Sequence, residues 1–112
     1  MNRYQSEAEI QNVVRDFETC ETGADDFGHP EHLVVAVWYL HAMDREAALD
    51  RMRAGLRRFL EHYEGNTGKY SEEITVFWID KILAKLNELG PDVSVVEKCN
   101  AILTGNFMNG AD

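Results

Sequence analysis

The chain has 112 residues, 45% apolar and 28% charged, with 20 acidic and 11 basic side chains and a net charge of -9. That length reads as one domain, residues 1–112, large enough to bury a core without staples, and the apolar content excludes a disordered chain. The acidic balance argues against nucleic acid or an anionic membrane as partner, since both bind by having phosphates or headgroups neutralised.

The start, MNRYQSEAEI, contains no apolar run, and no stretch approaches the length that crosses a bilayer. A reducing, cytoplasmic setting follows as the expectation, with Cys20 and Cys99 as two free, partly buried thiols.

Taken in chain order, the first predicted helix covers 7–20. Ser6 and Glu9 fit a capping box, and Ile10, Val13, Val14 and Phe17 recur at helical spacing as one apolar stripe. Thr22 to Gly28 break the pattern as a loop. A second helix is predicted over 30–43, with Pro30 at its first position and His29 as N-cap. Its run from Leu33 to Leu40 is apolar nearly all round, which suits the centre of a bundle. The β-branched residues there would also suit a strand, but the proline start and the alanines that follow favour a helix.

Asp44 caps a third predicted helix over 45–64. Ala48, Leu49, Met52, Leu56, Phe59, Leu60 and Tyr63 form its apolar stripe, with Arg45, Arg51, Arg53, Arg57 and Arg58 read as a solvated face laced with i,i+4 pairs. Gly55, inside that helix, implies close approach of a neighbour. After the break at Gly65-Asn66-Thr67-Gly68, Ser71 caps a fourth helix over 72–89, with Glu72 and Glu73 in its positive first turn. Ile74, Phe77, Trp78, Ile82, Leu86 and Leu89 are expected to line its buried side, and Gly90-Pro91 ends it. A fifth, shorter helix is predicted over 95–103, and the tail from Gly105 has no period. The sum is an all-α, compact up-down bundle of four main helices plus a short C-terminal fifth.

No established catalytic or ligand-binding motif stands out. His29 and His32 lie three apart at a helix start, so their rings share a face, and Tyr39 follows further along. In an up-down bundle helices two and four run in the same direction, which lets Tyr70, Glu72 and Thr75 converge on them. The candidate ligand-binding residues are therefore His29, His32, Tyr39, Tyr70, Glu72 and Thr75. His29, His32 and Glu72 are a candidate set for a divalent metal, zinc or iron(II), with open positions for water or substrate. The plainer reading makes His29 a cap, His32 a hydrogen-bonding residue of the first turn, and Glu72 a carboxylate favoured by a positive helix end. Trp38, Tyr39, Phe77 and Trp78 read as core before they read as a ligand slot.

The blocks Phe27-x-His29-x-x-His32-Leu33, Trp38-Tyr39-Leu40, Gly55-Leu56-x-Arg58-Phe59 and Tyr70-Ser71-Glu72-Glu73-Ile74-Thr75-x-x-Trp78 resemble a family of small bacterial helical proteins with no assigned activity. The resemblance spans residues 27–78 and implies a helical fold. In that family a His and a Thr stand where this chain has Ser71 and Glu73, so a site of three histidines is not implied here. Two function classes remain open. One is an accessory or protein-interaction domain, with a homodimer among its forms. The other is a small-molecule or metal-binding protein, enzymatic or not, that uses the His, Glu and Tyr cluster.

Overall fold

In the computed structural model, residues 3–20, 28–65, 68 and 70–104 are described, the side chains of His29 and Glu64 excepted. Among them the chain forms α1 (Glu7–Thr19), α2 (His29–Ala42), α3 (Arg45–Glu64), α4 (Glu72–Leu89) and α5 (Val95–Leu103), packed as an up-down bundle. Each boundary falls within one residue of its sequence expectation, because short polar side chains set the starts. Ser6 and Glu9 close a capping box on α1. Asp44, Ser71 and Ser94 each accept from a backbone N–H in the first turn of α3, α4 and α5.

One cap differs from expectation. The N-cap of α2 is Gly28 and not His29, and the Glu31 carboxylate accepts from the Gly28 N–H at 2.8 Å. The reciprocal half of a capping box is thus present without a side chain at the cap. Pro30 consequently sits one position further into the first turn, where its missing N–H still costs nothing.

Helix α2 occupies the centre and touches all four other helices. Leu33 through Val37 and Tyr39 are buried, as a helix apolar on every side requires. Helix α1 contributes Ile10, Val14 and Phe17 to this core, α3 contributes Ala48, Leu49, Met52 and Phe59, and α5 contributes Val95, Cys99, Ile102 and Leu103. The radius of gyration is 13.3 Å, about the ~13 Å expected of a globular chain this long. No helix among the described residues is long and apolar enough to cross a membrane. Cys20 and Cys99 are both free thiols, and burial pushes the Cys99 thiol up to about 12.

Two contacts explain residues the sequence leaves open. A Cβ built on Gly55 would lie 2.3 Å from Cε2 of Phe17, so α1 lays its one aromatic ring on the bare backbone of α3. Asn100, buried on α5, accepts from the Tyr4 N–H at 3.0 Å and donates to the Tyr4 carbonyl at 2.9 Å. This two-point clamp holds the segment before α1 against α5 and satisfies a buried amide at both ends.

The orientation of α4 corrects the sequence reading. Its buried residues are Thr75, Ile79, Ile82 and Leu86, whereas Ile74 is 60% and Phe77 49% exposed. Both 75/79/82/86 and 74/77/78 recur at helical spacing, and only packing against α2 and α3 decides which stripe turns inward. The α3 arginines also differ from a merely solvated face. Arg45 pairs with Asp80 and Arg53 with Glu72, both on α4, while Arg51 approaches Glu18 on α1 at 3.9 Å.

Candidate functional site

Parallel α2 and α4 bring their N-terminal turns to the same end of the bundle, alongside the C-terminal half of α3. A slot opens there between the three helices. Its outer part, about 300 Å³, is lined by His32, Leu56, Phe59, Leu60, Tyr70, Ser71, Ile74 and Thr75. An inner, almost wholly apolar recess of about 90 Å³ lies among Leu33, Ala36, Met52, Leu56, Trp78, Ile79 and Ile82, with His32, Ile74 and Thr75 also on its wall. His32, Leu56, Ile74 and Thr75 border both parts, so they form one continuous wall.

His32 stands one turn into α2, where its backbone N–H bonds to the Gly28 carbonyl. Its ring meets Phe17 edge-on at 5.8 Å and Phe59 at 5.4 Å, and its Nε2 is buried. Two aromatic neighbours fix the plane of the imidazole, and the residue borders both parts of the slot. Opposite, Thr75 donates its hydroxyl proton to the Ser71 carbonyl at 2.9 Å, and Ser71 Oγ accepts from the Ile74 N–H. The threonine is therefore buried without stranding its hydroxyl.

At the rim, Tyr70 donates to Glu72 at 2.7 Å, and its phenol pKa is raised chiefly by burial. Arg53 holds both oxygens of the Glu72 carboxylate, at 2.8 and 2.5 Å. These hydrogen bonds, first from Arg53 and then from Tyr70, push the carboxyl from an ordinary 4.5 down to about 2. The Arg57 guanidinium lies 5.0 Å over the Tyr70 ring.

The six candidate positions are thus placed differently. His32, Tyr70 and Thr75 come together on the slot. Glu72 is held by Arg53, whose guanidinium takes both carboxylate oxygens in a bidentate pair. Tyr39 is buried away from the slot, with its hydroxyl donating to Glu18 of α1. Burial, and next that hydrogen bond, raise the Tyr39 pKa. The side chain of His29, like Phe27 in the same block, lies outside the described residues. No group of three or more His, Cys, Asp or Glu that would hold a metal ion occurs among the described residues.

Sequence reasoning missed Leu56, Leu60, Phe59 and Ser71 as slot residues, because each already had a structural role as stripe or cap. A readable signal did exist: Leu56 and Leu60 extend the α3 stripe beyond what one neighbouring helix covers. No family model matches the chain, and neither does any curated protein or solved structure. What the slot does must come from its own chemistry. It offers apolar walls, one imidazole, a phenol and two hydroxyls, and among the described residues no carboxylate lines it. That donor set suits holding a compact apolar molecule with one hydrogen-bonding end.

Proposed function

We propose that the protein is a small-molecule-binding module. Its guest is a compact, largely apolar molecule whose body enters the recess between α2, α3 and α4. The guest's polar end is met by His32, Tyr70, Ser71 and Thr75. The observation that carries this reading is that the two cavities adjoin across His32, Leu56, Ile74 and Thr75, one of them almost wholly apolar and the other bearing Tyr70 and Ser71. Glu72, at the rim, is already paired with Arg53, which leaves His32 and Tyr70 as the titratable groups that meet the guest's polar end. The resemblance in the Tyr70 to Trp78 block adds the proposal that this mouth is a shared feature of small bacterial helical proteins.

The test uses p-cresol, a ring with one hydroxyl, titrated against the isotope-labelled protein. Amide shifts are expected at the slot positions of α2, α3 and α4, together with a change in Trp78 fluorescence. Leu56→Trp, which fills the slot from the wall common to both parts, is expected to abolish them while the fold is retained. Shifts that are absent, or that persist unchanged in Leu56→Trp, reject the reading. The accessory-domain reading rests on the exposed apolar side chains of α4, Phe77 and the slot-bordering Ile74.

A further inference from the structure

The slot deepens in step along the three helices that enclose it. On α2, His32 borders both parts, and Ala36, one turn on, borders the recess alone. On α4, Thr75 borders both, while Ile79 and then Ile82 border the recess alone. On α3, which runs the other way, Leu56 borders both, and Met52, one turn before it, borders the recess alone. The recess therefore lies one level deeper than the mouth on every helix that lines them. Ala36, Met52, Ile79 and Ile82 are all buried, so this deeper level is set in the packed core. Between Leu33 and Leu40, Ala36 is the single residue of α2 whose side chain is no larger than a methyl group. Its smallness leaves room on the α2 side of the recess, where a valine like Val35 or Val37 would take up space.

We infer that Ala36 sets how long an apolar tail the slot accepts. This role rests on the small-molecule reading of the slot and narrows the class of guest to a hydroxyl-bearing head with a short unbranched alkyl tail. A dry apolar cavity of about 150 Å³ takes a benzene ring. The recess, at about 90 Å³, accordingly takes a tail of about three or four carbon atoms. Each methylene moved from water into it tightens binding by about fourfold until the space is full. Further carbons gain nothing, because a close-packed core yields little.

The test is a series of p-alkylphenols from p-cresol to p-hexylphenol, in which the ring occupies the outer part and the alkyl group is the tail. Each is titrated by calorimetry against the wild type, Ala36→Val and Ile82→Val, with circular dichroism to verify folding. In the wild type, affinity is expected to climb about fourfold per added carbon as far as the propyl or butyl compound and then to level off. Ala36→Val is expected to move that break about two carbons shorter, the volume of its added methyl groups. Ile82→Val, which vacates one methyl group, is expected to move it about one carbon longer. Absence of binding by every member, p-cresol included, rejects the slot reading itself. Binding of p-cresol with an affinity that climbs through the whole series, or that breaks at one length in all three proteins, leaves the slot standing and overturns the role of Ala36. Should Ala36→Val not fold, the position of the break in Ile82→Val decides between the same outcomes.

Discussion

Gly55 shows how much one hydrogen atom decides. The Phe17 ring is wholly buried, flanked by His32 and Phe59, and has no free direction in which to yield to a methyl group on α3. Overpacking of this kind costs about 1–3 kcal/mol, against a gain in helix propensity of up to ~1 kcal/mol for replacing glycine by alanine. Gly55→Ala is therefore expected to destabilise the protein by about 1–2 kcal/mol, read as a lower urea midpoint at unchanged slope. Asn100 makes the complementary case. Removing its amide in Asn100→Ala leaves the Tyr4 N–H and carbonyl facing a buried pocket, at a cost of about 1–3 kcal/mol. The expected signature is a lower thermal midpoint together with looser packing of Tyr4, seen in its proton exchange and ring signals. The glycine was legible as a close approach because a helix interior gives glycine no other reason to stand there. The asparagine was not, since its partner is a backbone 96 residues away.

At the scale of the element, capping was legible and facing was not. Ser6, Asp44, Ser71 and Ser94 act through backbone groups within three residues of themselves, so local sequence suffices to find them. Which stripe of α4 turns inward depends on α2 and α3, and Thr75 tolerates the burial because its hydroxyl bonds back to Ser71. The tie between α3 and α4 has a consequence for pH. With the Glu72 carboxyl at about 2 in the folded chain against an ordinary 4.5, the folded state favours the ionised form. Its stabilisation is complete above the unfolded value and is lost as pH falls from there through the folded value. Glu72→Gln is expected to lower the thermal midpoint slightly at neutral pH, the effect being small because both partners are well exposed. The gap from wild type should close between about pH 4.5 and about pH 2, followed by melts at stepped pH.

On the scale of the whole molecule, the central position of α2 organises stability and site together. Its amides between Leu33 and Tyr39 lie inside a ring formed by the other four helices. They are expected to exchange with solvent last, close to the rate set by global unfolding, whereas the first turn of α4 exchanges sooner through local opening. Native-state hydrogen exchange checks the ranking, and earlier exchange in α2 than in α4 would contradict it. The slot lies where α2 meets the first turn of α4.

Residue order alone determined the all-helical class, the five helix boundaries and the centrality of α2. Periodicity, caps and breakers act over a few residues and need no partner. Tertiary structure alone decided that His32, Tyr70 and Thr75 share a slot, that Glu72 belongs to Arg53, that Tyr39 belongs to Glu18, and that Phe77 faces outward. Each of these depends on how far one helix is rotated about its axis against another. That rotation is set by the summed packing of side chains distant in sequence, and no local pattern contains it.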